Sequence, residues 1–150
     1  MTFFPTDNLR TDELFLLLEN ASEGDPTKGW VPAYHFSICL TDGRKIGLCD
    51  LRIGHNENLY FGGNIGYEIF PAYRGHHYAA KACELLFHLA KQHKLDYVII
   101  TCNPDNTASA RTCEYAGGTL LEIVELPPDN NMRQKGDTHK RIYRFDLEAR

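Results

Sequence analysis

The chain has 150 residues, enough for one domain with a substantial core. Hydrophobic residues make up 43% and charged residues 24%, and the formal net charge is −4, so a chain this mildly acidic and without a basic run is a poor fit to nucleic acid. No apolar run suits a transmembrane span or a signal peptide; the longest near the start is Leu14-Phe15-Leu16-Leu17-Leu18, so a cytoplasmic location with no membrane partner is expected.

Residues 1–10 predict no element. Thr11 reads as the N-cap of a helix over residues 12–21, with Leu14, Leu17, Leu18 and Ala21 on one face. Gly24, Pro26, Gly29 and Pro32 make residues 22–32 a loop. Trp30 in that loop reads first as a plug against the core, with a place over a cleft as the alternative. Residues 34–40 predict a strand, Thr41-Asp42-Gly43-Arg44 a hairpin turn, and residues 45–53 the return strand. A parity shift near Leu48 and Cys49 predicts a bulge or burial on both faces. Residues 54–58 read as a polar turn and residues 59–61 as strand. Gly62-Gly63 then marks a bulge or a second tight turn.

The next stretch organises the chain. Ile65, Tyr67 and Ile69 alternate with Gly66, Glu68 and Phe70 as a strand, and Pro71 stops it. Arg74-Gly75 leads into an amphipathic helix with Ala79, Ala82, Cys83, Leu86, Leu89 and Ala90 on its apolar face. A strand feeding a helix through a glycine-containing loop aims bare N–H groups at one spot, which suits phosphate. Residues 95–102 contain Tyr97-Val98-Ile99-Ile100, a run that fits a strand covered on both faces and parallel to the first. Asn106 caps a helix over residues 107–116, ended by Gly117-Gly118. Residues 119–126 and 139–147 are strands around a polar loop. Five widely spaced cysteines read as reduced thiols, and His76-His77 lacks partners at ligand spacing, so no metal is expected.

Two of these stretches together carry a family resemblance. One is Gly66-Tyr67-Glu68-Ile69-Phe70-Pro71-Ala72-Tyr73-Arg74-Gly75-His76-His77-Tyr78-Ala79. The other is Asn103-Pro104-Asp105-Asn106-Thr107-Ala108-Ser109-Ala110-Arg111-Thr112-Cys113-Glu114-Tyr115-Ala116-Gly117. They resemble the Q/R-x-x-G-x-G/A loop and the N-x-x-S-x-x-x-x-E-x-x-G helix of the GNAT superfamily of N-acetyltransferases. The similarity is greatest to the branch acting on ribosomal-protein N-termini and related amines. The resemblance implies a single α/β (α+β) domain over residues 1–150, with a mostly antiparallel twisted sheet, a central splayed parallel strand pair and flanking helices. It implies acetyl-CoA as co-substrate, no metal, and direct transfer to a primary amine of a small molecule or a peptide N-terminus. Arg74, Gly75, His76, His77, Tyr78 and Ala79 would then hold the pyrophosphate and Ile69 and Phe70 the pantetheine arm, with Asn103, Asn106 and Ser109 also facing the cofactor. Glu68 is the general-base candidate, with a structural salt bridge as its alternative.

The chain also departs from the family pattern. His77 stands where the family loop has glycine, and is read as part of the first helical turn, where histidine costs little. Cys113 stands where many members carry a tyrosine general acid, which leaves Ser109 and Cys113 as candidates. Gly118 replaces a common phenylalanine at a cost in packing. The usual first strand is not evident before the first helix, so the acceptor side is left open or completed by a second subunit in a homodimer. A catalytically silent acyl-CoA-binding sensor or partner-binding domain is the alternative.

Overall fold

A computed structural model describes residues 1–148 and 150. The strands are β1 (Leu14–Ser22), β2 (Ala33–Leu40), β3 (Lys45–Arg52), β4 (Ile65–Ile69), β5 (Tyr97–Cys102), β6 (Thr119–Glu125) and β7 (His139–Asp146). The helices are α1 (Glu57–Gly62), α2 (Tyr78–Gln92), α3 (Thr107–Tyr115) and the single turn α4 (Asn131–Gln134). One antiparallel sheet has the order β1-β2-β3-β4 and a second the order β5-β7-β6. Helix α2 buries Ala80, Ala82, Cys83, Leu86, Phe87, Leu89 and Ala90 in the core. The α/β architecture with mostly antiparallel strands is as the sequence predicts.

Two local expectations are corrected. Residues 14–22 form a strand rather than a helix. Thr11 does act as a cap, its Oγ1 accepting from the Glu13 and Leu14 N–H groups at 3.1 Å each, but the turn opens into β1. A leucine-rich run satisfies both periods, and pairing along β2 with Leu14 and Leu16 buried decides for the strand. Residues 59–61 lie in α1 rather than a strand, because Asn56 caps the turn by accepting from the Leu59 N–H at 2.9 Å. The bulge expected near Leu48 falls slightly earlier on β3, where Ile38 and Cys39 pair with Gly47 and Lys45 and leave Ile46 as the extra residue. Phe145 occupies the room beside Gly118, where a Cβ would stand 2.5 Å from its ring.

The central pair, β4 and β5, lies in two different sheets and forms no ladder among the described residues. The two strands meet at Asn64, which is fully buried. Its backbone N–H donates to the Ile99 carbonyl at 2.7 Å, and its Oδ1 accepts from the Ile99 N–H at 2.9 Å. Its Nδ2 donates to the carbonyls of Arg52 at 3.0 Å and Gly54 at 2.8 Å. One amide thus stitches the sheets together at the start of β4, and beyond it β4 and β5 form no ladder among the described residues. Gly63 makes the approach possible: at φ +85°, a Cβ there would lie 3.1 Å from the Ile99 carbonyl oxygen.

His77 is also corrected. It has φ +60° and precedes α2 as its N-cap, so the helix begins at Tyr78 and His77 is not in its first turn. Its ring stacks on Tyr115 with centroids 4.0 Å apart, which holds a conformation L-residues rarely take.

Asn64→Leu, which keeps size but strands three buried polar groups, is expected to cost about 3 kcal/mol or more. A thermal melt should show a loss of roughly 6–12 °C. His77→Gly should leave stability within about 1 kcal/mol, since glycine accepts the positive φ but loses the stack. His77→Val should cost about 2 kcal/mol by denaturant titration, because a β-branched residue is disfavoured there.

Candidate active site

The loop before α2 presents unpaired donors. The first intrahelical bond runs from the Lys81 N–H to the His77 carbonyl at 3.0 Å, so the N–H groups of Tyr78, Ala79 and Ala80 precede it. No side chain caps this end of the 15-residue helix. Gly75 (φ +92°) and His77 (φ +60°) are both left-handed, a backbone that gathers successive N–H groups into a concave, anion-binding nest. A Cβ on Gly75 would meet nothing within 4 Å, so glycine is needed there for φ rather than for room. Arg74, Gly75, His76 and His77 are exposed, and Tyr78 and Ala79 half-buried. The helix dipole adds partial positive charge at the same point.

From this loop, β4 runs back toward Asn64. The Phe70 N–H donates to the Ile46 carbonyl at 2.8 Å and the Asn64 carbonyl accepts from the Arg52 N–H at 2.7 Å, so the even-numbered residues face β3. Tyr67 and Ile69 therefore turn their backbone groups toward β5, which does not pair with them. The Phe70 backbone is engaged on both sides, because its carbonyl also accepts from the Tyr73 N–H at 2.9 Å. Arg74 Nε donates to the Ile69 carbonyl at 2.8 Å. The open edge thus consists of the Ile69 N–H and the N–H and carbonyl of Tyr67, nearer the middle of β4 than expected.

Tyr67 also brings a side chain to this space. Its hydroxyl lies 2.7 Å from Ser109 Oγ on α3. Asn106 caps α3 by accepting from the Ser109 N–H at 3.1 Å. Cys113, one turn further along, is buried, and burial first, with the adjacent Cys102 second, pushes its thiol up to about 12. The Tyr67 phenol is raised as well, chiefly by burial and then by Cys113. Tyr67, Ser109 and Cys113 thus form one protonated cluster between β4 and α3. Sequence reasoning passed over Tyr67; its only signal is a hydroxyl-bearing ring on the otherwise aliphatic Ile65-Tyr67-Ile69 face.

The three catalytic candidates are not brought together. Strand alternation puts Glu68 on the opposite face of β4 from Tyr67, exposed and across from Leu48. Among the described residues Glu68 makes no ion pair, so the salt-bridge alternative does not form. The Asn103 amide has partners of its own: its Oδ1 accepts from Lys140 Nζ at 2.7 Å and its Nδ2 donates to Asp137 Oδ1 at 3.2 Å, which braces the start of β7.

A cavity of about 540 Å³ lies beyond the other end of β4, lined by Trp30, His35, Arg52, Glu57, Gly63 and Asp129 among others. Trp30 is 60% exposed, so it lines this space and does not plug the core. Among the described residues no three His, Cys, Asp or Glu side chains gather as metal ligands. No helix of the described residues is long and apolar enough to cross a membrane.

Comparison with known proteins identifies the fold. The apo ribosomal L7/L12 α-N-protein acetyltransferase RimL aligns over 95% of this chain and 96% of its own, at 18% identity and a TM-score of 0.64. The microcin C7 self-immunity acetyltransferase MccE, solved with acetyl-CoA and AMP, aligns over 76% of this chain and 61% of its own, at 20% identity and a TM-score of 0.61. A Salmonella typhimurium acetyltransferase that modifies the N-terminal serine of the 50S subunit protein L7/L12 aligns over 80% of this chain and 66% of its own, at 21% identity and a TM-score of 0.59. The chain thus spans about three-fifths to two-thirds of the last two proteins. RimL has also been solved with coenzyme A. No functionally curated protein matches the chain in sequence. A family model described as an acetyltransferase (GNAT) domain matches residues 1–119, well over half of the chain. With its two motifs, its two splayed sheets and the uncapped start of α2, the chain belongs to the GNAT acetyltransferase family.

Proposed function

We propose that the protein is a cytoplasmic, single-domain N-acetyltransferase that moves the acetyl group of acetyl-CoA directly to a primary amine. The observation that carries this reading is the join of an uncapped helix start to an unpaired strand edge. The N–H groups around Gly75 to Ala80 suit a pyrophosphate. The Tyr67 and Ile69 backbone suits the amides of a pantetheine arm, added like a strand. Acetyl-CoA supplies the activated acyl group, and the protein's residues supply position and protons.

Attack by a neutral amine on the thioester carbonyl forms the C–N bond, and collapse breaks the C–S bond. The departing thiolate then needs a proton. Ser109 is the best-placed donor. If the Tyr67 hydroxyl donates to Ser109 Oγ across their 2.7 Å, the Ser109 proton is left free to point at the sulfur. Cys113 stays protonated far above neutral pH, so it is a poor nucleophile, which favours direct transfer over an acyl-cysteine. Glu68, on the other face of β4, can take the proton from the incoming ammonium through water.

Acetyl-CoA at a hundredfold excess over its Kd should add about 2.7 kcal/mol of stability. Differential scanning fluorimetry would read this as roughly 5–10 °C; no shift at millimolar acetyl-CoA would sink the cofactor reading. A shift without thiol release on any amine would favour the silent sensor. In a thiol-release assay, Ser109→Ala should lower kcat about tenfold to a hundredfold. Tyr67→Phe should lower it by up to about tenfold, the value of one hydrogen bond. Cys113→Ala should change it least. A larger effect from Cys113→Ala than from Ser109→Ala would reverse the assignment.

A further inference from the structure

The cavity beyond Asn64 sits where an acyl group would arrive. An arm anchored at the start of α2 and laid along β4 would bring its sulfur to the Tyr67–Ser109 contact in the middle of the strand, with the acyl group pointing on toward Asn64. Gly62 and Gly63, which lead into Asn64, wall the cavity. Its volume of about 540 Å³ falls in the range of small-molecule sites.

The lining has a consistent chemistry. Arg52 brings a positive charge, but Asp50 neutralises it at 3.3 Å and the Gly63 carbonyl accepts from it at 2.9 Å. Glu57 and Asp129 face no ion-pair partner among the described residues. His35 adds a further polar group, and Phe61 and Met132 supply apolar wall. Trp30 already receives an ammonium: Lys28 Nζ lies 4.6 Å from its ring centroid. Even with Lys28 counted at the rim, the carboxylates leave the cavity net negative.

We propose that this cavity is the acceptor pocket and that it takes an amine carrying a second positive charge on an apolar linker, of the diamine or polyamine type. The inference rests on the acetyltransferase reading above. Its logic is that the attacking nitrogen must be neutral when it reacts, so carboxylate walls hold a different, non-reacting charge. Such a contact is the same in the ground and transition states, and its loss appears in KM rather than kcat.

Spermidine and 1-aminobutane, which differ in distal charge, test the inference with acetyl-CoA saturating. Spermidine should show a KM at least about tenfold lower. Glu57→Gln with Asp129→Asn should raise the spermidine KM about tenfold, with the acetyl-CoA thermal shift intact. Equal KM values for the two amines, or an unchanged spermidine KM in the variant, would overturn the proposal. If the double variant melts early, the two single substitutions are read in the same way. If acetyl-CoA itself gives no shift, the parent reading fails, and calorimetric titration of spermidine alone decides on the cavity. Saturable binding weakened about tenfold by the substitutions would support it; absent or unchanged binding would overturn it.

Discussion

Everything at the site depends on one buried amide. Asn64 is the place where the two sheets exchange hydrogen bonds, and it satisfies Ile99, Arg52 and Gly54 at once. Had β4 and β5 paired along their length, the edge of β4 would be filled and no cofactor arm could add to it. Had they not met, the two sheets would lack a common frame. A single-point joint gives a rigid origin and an open angle, and α2 starts at the open end. An unpaired edge is ordinarily a liability for aggregation. Here it lies between two sheets of the same chain, where another protein's strand cannot easily reach it.

The two faces of β4 have different electrostatic characters. On one, Tyr67 and Cys113 are kept protonated by burial beside the Ser109 hydroxyl, which suits the side where a thiolate would need a proton. On the other, Glu68 is exposed to water, which suits accepting one. Alternation along a strand separates the two proposed roles by a single residue. The departure at Cys113 is thereby less costly than the motif suggests, because Tyr67 brings a phenol into the same space from β4 rather than α3.

The strand at residues 14–22 changes the first sheet. A helix there would have covered one face of the first sheet. A strand instead extends that sheet, and the face carrying Leu17, Leu48 and Glu68 stays exposed. The loop with Trp30 then folds over one end of this face and forms a wall of the cavity.

Much of this was legible in the chain. The β4-loop-α2 unit, the Asn106 cap and the β2-β3 hairpin follow from local rules: alternation, a proline stop, an Asx cap and an Asp-Gly turn. Those rules act over a few residues, so composition and spacing suffice for them. The errors share one cause, competition between local preference and distant partners. Leu14 to Leu18 suits helix or strand, and β2 decided. His77 suits a helical turn, and Tyr115, 38 positions away, stacks on it in a left-handed conformation. The sequence by itself determined the family and the glycine-containing loop before α2, because these reside in contiguous motifs. The tertiary structure alone decided the Asn64 joint, the Tyr67–Ser109 contact and the cavity, because each is made by residues that meet only when the two sheets close on α2 and α3.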